Sequence, residues 1–160
     1  MNALPPNSPR VPAAGAVLAF DYGEKRIGVA VGDLGLRIAH PLSTLAAEDN
    51  RRRFAAIARL IGEWQPVLLV VGVPLPPDER EHEIARLARR FARRLEGRFG
   101  IPVEIVDERL TSHAAQSALR EQGVRARRAR ELIDAAAAQQ ILQSYFSTLQ
   151  SGPERAHDRA

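Results

Sequence analysis

Apolar positions recur along this chain in two rhythms, and the switches between them mark its elements. Residues 16–21, Ala-Val-Leu-Ala-Phe-Asp, are apolar up to a terminal aspartate, and Gly23 opens a turn. Ile27, Val29 and Val31 then follow at period two, which predicts a hairpin of 16–21 with 26–32. Residues 36–40 predict a weaker third strand that stops before Pro41. From 50 to 64 the period lengthens, and Phe54, Ile57, Leu60, Ile61 and Trp64 fall on one helical stripe, with Pro66 beyond it. Residues 67–71, Val-Leu-Leu-Val-Val, are apolar throughout, as in a strand buried on both faces. Asp78 and Glu81 have the spacing of a capping pair. They lead a helix through Phe99 that turns Ile84, Leu87, Ala88, Phe91 and Leu95 inward and ends at Gly100. Residues 102–106 predict a strand, 112–122 a short alanine-rich helix ended by Gly123, and 127–149 a last helix.

The order β-β-β-α-β-α-β-α-α predicts an α/β fold: a mixed five-stranded sheet, antiparallel in its first three strands, flanked by helices. The first strand, 67–71 and 102–106 form the expected parallel set. Ligands of such sheets sit at the carboxyl ends of the strands. The chemistry is therefore sought at residues 21–26, 72–78 and 107–111. Residues 1–15, with Pro5, Pro6, Pro9 and Pro12, predict a disordered tail, 16–149 a single folded domain and 150–160 a frayed tail.

Composition narrows the chemistry. The chain has no cysteine, which excludes disulfides, thiolate metal sites and a cysteine nucleophile. It lacks an apolar run of the ~20 residues a membrane helix needs and a signal-peptide pattern, so a cytoplasmic protein is expected. His40, His82, His113 and His157 show no ligand spacing. Net charge is +4, and Lys25 is the single lysine against 22 arginines. The pI is near 10.5. A genome-wide preference for arginine explains such a bias; so does phosphate recognition, which suits the planar guanidinium. The excess is local. Residues 86–98 carry Arg86, Arg89, Arg90, Arg93, Arg94 and Arg98, and residues 120–131 carry Arg120, Arg125, Arg127, Arg128 and Arg130. Two such stripes are either solvated faces or the footprint of a nucleic acid.

Three acidic positions stand out. Asp21 ends a strand that is otherwise apolar, where an unpaired carboxylate is costly; it is either a turn residue or a ligand. Asp107-Glu108 ends the 102–106 strand at the same sheet edge, and period-two alternation sends only one of the two toward a shared site. Asp134 lies inside the last helix, which aspartate disfavours. It falls beside the apolar stripe of Ile133, Ala137, Ile141 and Tyr145 and not opposite it. Either it pairs with Arg130 at the stripe's edge or it reaches over the strand ends. Converging carboxylates without thiolates suit hard cations, Mg²⁺ or Mn²⁺. One or two such ions support phosphodiester hydrolysis.

At these residues the chain resembles the YqgF family, also called RuvX, the Holliday-junction-resolvase-like group of the RNase H-like superfamily. The motifs are Asp21-Tyr22-Gly23-Glu24-Lys25-Arg26-Ile27-Gly28-Val29-Ala30, Val70-Val71-Gly72-Val73-Pro74-Leu75, Asp107-Glu108-Arg109-Leu110-Thr111-Ser112 and Asp134-Ala135-Ala136-Ala137. The resemblance runs over about residues 16–149. It implies an RNase H-like fold and a metal-dependent endonuclease that matures the 5′ end of pre-16S rRNA. It assigns the catalytic and metal-holding acids to Asp21, Glu108 and Asp134. Lys25, Arg26, Arg109 and Thr111 beside them, with Arg89 and Arg93 on the first basic stripe, are the candidate substrate-binding residues. One departure is plain: Pro76-Pro77-Asp78-Glu79-Arg80-Glu81 replaces the Asn and Asp-Gly turn usual after the Gly72 loop. The implied partners are structured RNA or branched DNA, with no membrane, acting as monomer or homodimer. The alternatives are a branched-DNA resolvase, or a nucleic-acid-binding assembly factor without activity. An actin- or sugar-kinase-type ATP module also opens with Asp-x-Gly, but 160 residues are too few for its two lobes.

Overall fold

The computed structural model of the chain describes residues 12–46, 49–74, 79–107 and 126–158. It forms one five-stranded sheet, β1 (Ala16–Asp21), β2 (Arg26–Asp33), β3 (Ile38–Ala46), β4 (Leu68–Val73) and β5 (Val103–Asp107), in the order β3-β2-β1-β4-β5. β2 runs antiparallel to β1 and to β3, while β1, β4 and β5 are parallel. Helices α1 (Asn50–Trp64), α2 (Glu79–Phe99) and α3 (Ala126–Asp158) flank it. This is the expected mixed α/β sheet of the RNase H-like fold.

Local chemistry sets the helix ends. The Asp49 carboxylate accepts from the Arg52 amide at 2.8 Å and caps α1. Gln65, in the left-handed region at φ 47°, closes it ahead of Pro66. Gly100 at φ 66° ends α2, with its amide donating to the Glu96 carbonyl. The expected Asp78 cap and the 112–122 helix lie outside the described residues. The last helix continues past residue 149 to Asp158.

One strand departs from expectation. β3 passes through Pro41 and runs to Ala46 instead of stopping at residue 40. It tolerates the proline because it is an edge strand, where one row of backbone groups needs no partner. A register shift opposite Val29 and Ala30 accommodates the extra residue between Pro41 and Ser43.

The sheet divides the core in two. Leu18, Phe20, Ile27, Val29, Leu69 and Val71 pack under α1 and α2, against Phe54, Ile57, Phe91 and Leu95. Val17, Ala19, Ala30, Leu68 and Val70 pack under α3, against Ala138, Ile141, Leu142 and Phe146. β1 and β4 alternate residue by residue between these two layers, as buried central strands must.

Candidate functional site: an acidic cleft at the strand ends

The alternation along β1 decides where its end points. Val17 and Ala19 face α3, so Asp21 falls on that side; Tyr22 packs with the α1–α2 layer. Asp21 pairs in register with Gly28 of β2 and Gly72 of β4, at the carboxyl end of the parallel strands. Gly23 makes the tight turn that follows possible, because a Cβ there would overlap the Arg26 carbonyl oxygen.

Asp134 reaches this edge because α3 lies directly on β2. A Cβ on Gly28 would overlap the backbone carbonyl of Asp134, so only glycine permits this approach. The buried Ala135, Ala137 and Ala138 keep that stretch of the helix slim. Polar latches fix the helix along its length. Thr44 Oγ1 donates to the Glu131 carbonyl at 2.6 Å, and Gln139 Nε2 donates to the Ala39 carbonyl at 3.0 Å.

Asp21, the Tyr22–Arg26 turn and Asp134 line one open cleft of about 350 Å³. Within it Arg26 Nε donates to Asp134 Oδ2 at 2.7 Å, with the carboxylate side chain 18% exposed. Asp134 thus faces the strand ends, where Arg26 is its partner; the side chain of Arg130 lies outside the described residues. Lys25 is exposed on the same turn. The cleft is lined by three carboxylates, Asp21, Glu24 and Asp134, and two cations, Lys25 and Arg26, an arrangement that suits a hard cation on one side and a phosphate on the other.

Of the acidic pair after β5, Asp107 ends the strand and is exposed. Val103 packs with the α1–α2 layer and Val106 with the α3 layer, so Asp107 falls on the face away from Asp134. Glu108, Arg109 and Thr111 lie outside the described residues, as does His113. Among the described residues no group of three or more histidine, aspartate or glutamate side chains is placed to hold a metal. Of the three acids picked out from the sequence, Asp21 and Asp134 lie among the described residues and share the cleft. Two suffice as a start for Mg²⁺, which is commonly held by one or two carboxylates together with substrate phosphate.

Arg89 and Arg93 are exposed on the outer face of α2. Their neighbours Arg90 and Arg94 instead line a separate small cavity with Tyr22, Arg53 and Phe91. Arg53 is a further functional residue, outside the basic stripes and motifs of the sequence. The signal was its position four residues before Ile57, on the inward stripe of α1, where it is only 6% exposed. Its guanidinium donates to the carbonyls of Gly23 at 3.3 Å and Glu24 at 2.6 Å, and stacks 5.4 Å from the Tyr22 ring centroid. It therefore braces the turn that carries the cleft.

A mixed sheet in the order β3-β2-β1-β4-β5, with acidic side chains gathered at the carboxyl ends of its parallel strands, defines an RNase H-like α/β protein. Residues 15–148 match the model of a family described as "RuvX: Holliday junction resolvase", and the chain belongs to that family. A protein of Methylobacillus flagellatus named "Putative pre-16S rRNA nuclease" is 55% identical over 143 residues, covering 89% of this chain and 98% of that one. A protein of Nitrosomonas europaea with the same name is 58% identical over 134 residues, covering 84% of this chain and 90% of its own length. Among solved structures, RuvC of T. thermophilus in complex with a Holliday junction substrate superposes with a TM-score of 0.55 at 15% identity, over 86% of this chain and 96% of that one. That likeness concerns the fold. No helix among the described residues is long and apolar enough to cross a membrane.

Proposed function

We propose that this protein is a metal-dependent endonuclease of the cytoplasm that hydrolyses phosphodiester bonds in the 5′-end maturation of pre-16S rRNA. The observation that carries the reading is the convergence of Asp21 and Asp134 on one cleft from segments more than 100 residues apart, the Arg26–Asp134 pair spanning a separation of 108. Family membership and relatives above 50% identity over most of their length support the substrate. Asp21, Glu108 and Asp134 are the proposed holders of one or two Mg²⁺ or Mn²⁺ ions. Asp107 falls on the face away from Asp134, and the family resemblance gives the third position to Glu108. A divalent cation bound there supplies a nucleophilic water at neutral pH and neutralises charge on the reacting phosphate.

The remaining work belongs to the chain. Asp134 orients Arg26 through the Nε–Oδ2 bond, leaving the guanidinium NH₂ groups for a phosphate oxygen. Lys25, on the same turn, adds a mobile positive charge. Arg109 and Thr111 are proposed as further substrate contacts, and Arg89 and Arg93 as a diffuse electrostatic guide along α2. Phosphate contacts position a strand without reading its sequence, and only 5% of the chain is aromatic, leaving few platforms for stacking bases. Substrate shape is the expected basis of choice.

The deciding experiment offers the purified protein, with Mg²⁺ or Mn²⁺, a pre-16S rRNA fragment and a four-way DNA junction side by side. Metal-dependent cleavage of the RNA at a defined 5′ position, with the junction left intact, is the expected result. Cleavage of the junction alone would replace rRNA maturation by resolution of branched DNA. Binding without cleavage of either would make the protein an assembly factor.

A further inference from the structure

We propose that the cavity between α1 and α2 is a second anion site, which grips an internal phosphate of the substrate strand beside the acidic cleft. The proposal rests on the nuclease reading for its substrate class, and on separate residues for its evidence.

The cavity is about 100 Å³ and is lined by Tyr22, Asn50, Arg53, Arg90, Phe91 and Arg94, among others. Three guanidinium groups border it, and among the described residues none that lines it is acidic. Like charges gathered around one small space repel each other unless an anion sits among them. Among the described residues neither Arg90 nor Arg94 forms a salt bridge, although Arg86 on the same helix pairs with Glu83 at 2.7 Å. Arg53 is nine-tenths buried and held by the Gly23 and Glu24 carbonyls, which fixes one guanidinium in the wall of the cavity. The space is well below the roughly 300–1,000 Å³ typical of sites for drug-sized ligands. It suits one phosphate group, not a whole nucleotide. Arginine's fork matches phosphate oxygens two at a time.

Its position gives the site a purpose. Tyr22 lines both this cavity and the acidic cleft, so the two adjoin at this residue. Arg53 reaches from the cavity wall to the carbonyls of Gly23 and Glu24, in the turn between Asp21 and Arg26. A strand whose scissile phosphate lies in the cleft can place a neighbouring phosphate between Arg90 and Arg94. Occupancy there then steadies the turn through Arg53.

The test is binding of a fluorescein-labelled single-stranded RNA, followed by anisotropy in the presence of a chelator so that no cleavage occurs. The variants are the Arg90→Gln, Arg94→Gln double substitution and, as a charge-matched control on the exposed side of α1, Arg51→Gln with Arg59→Gln. The pocket pair should weaken binding about tenfold more than the control. It should also reduce the slope of log affinity against log salt by about 1.4, two contacts at roughly 0.7 each on single strands. RNAs with a 5′-hydroxyl and a 5′-monophosphate should lose the same factor. Equal affinity for the pocket variant and the control overturns the site. A loss confined to the 5′-phosphorylated RNA also overturns it, since the cavity would then sense strand ends. In the cleavage assay the pocket variant should show a raised KM with kcat within about threefold of wild type. If the wild-type protein cleaves nothing yet the pocket variant loses binding, the nuclease reading fails and the anion site stands.

Discussion

On one side of the sheet a single helix lies almost in contact with the strands; on the other, two helices stand off over phenylalanines. α3 reaches β2 at Gly28, where helix backbone meets strand backbone, and its contact surface there is alanine. α1 and α2 meet the sheet through Phe54 and Phe91, with Phe20 and Phe91 edge to face at 5.9 Å. The close side carries a carboxylate from the helix to the strand ends. The stand-off side leaves a space at its mouth, and arginines border it. The Tyr22–Arg26 turn belongs to both, because its residues line the cleft while its carbonyls are held by Arg53. Helix-to-sheet distance, set by side-chain size, thus decides which charge each face can bring to the substrate.

The largest expected effect comes from removing the charge that the close face delivers. Asp134→Asn should lower metal-dependent cleavage by at least 100-fold, measured as kcat under saturating RNA. Asparagine keeps the size and one oxygen that accepts from Arg26 Nε, so the fold should persist. Asp134 is paired with Arg26, so the variant loses part of an ion pair and its Tm should fall slightly, by about 2–4 °C at most. Undiminished cleavage by this variant would remove the close face from the chemistry.

Much of the architecture was legible because amphipathic spacing is local. The stripes Phe54–Ile57–Ile61 and Ala88–Phe91–Leu95 and the all-apolar β4 identify themselves within a few residues. The parallel set and the inward-facing Asp134 follow from the same periods. β3 was underestimated at Pro41, since whether proline is tolerated depends on the strand lying at an edge, a property of the whole sheet. The partner of Asp134 was illegible for a related reason: Arg26 lies 108 residues away, and no spacing rule spans that distance. Arg53 could be read as inward from its stripe, but its role required knowing that the β1–β2 turn folds over α1. The choice between Arg89 and Arg90 turns on about 100° of helix rotation, finer than a count of basic residues resolves.

The next effect tests the spacing itself. Gly28→Ala places a methyl group against the Asp134 carbonyl, a backbone atom that cannot rotate away. Overpacking of this kind costs about 1–3 kcal/mol, and we expect the upper end. Denaturant unfolding should show a lowered midpoint at unchanged m-value. Cleavage should fall about tenfold or more, because Asp134 moves with the helix. Gly62→Ala on α1 is the contrasting change. Nothing lies within 4 Å of its added Cβ, so it should stabilise the protein by about 0.5–1 kcal/mol through helix propensity and leave cleavage unchanged. If both substitutions cost alike, the two faces do not differ as described.

The smallest effect lies at the edge strand where the two layers meet. Glu104 of β5 is partly buried, and this desolvation pushes its carboxyl above the usual value of 4.5, with Glu96 of α2 adding to the rise. On the other side, burial and then Glu104 itself push the Tyr145 hydroxyl of α3 up to about 12. Glu104 therefore senses both helical layers. A raised folded pKa means that the folded state holds this proton more tightly than the unfolded state. Stability is then greatest below about pH 4.5 as far as this group is concerned, and declines as pH rises through the folded value. Glu104→Gln keeps the shape and removes the charge. It should leave the denaturation midpoint nearly unchanged at pH 4, below the ordinary carboxyl value of 4.5, and raise it at pH 7, where the upward shift of Glu104 costs the wild type stability. The gain at neutral pH should be a small fraction of the Gly28→Ala loss. A midpoint difference that is the same at pH 4 and pH 7 would mean that Glu104 contributes by shape alone, and that the junction of the two layers is as well hydrated as the outer surface.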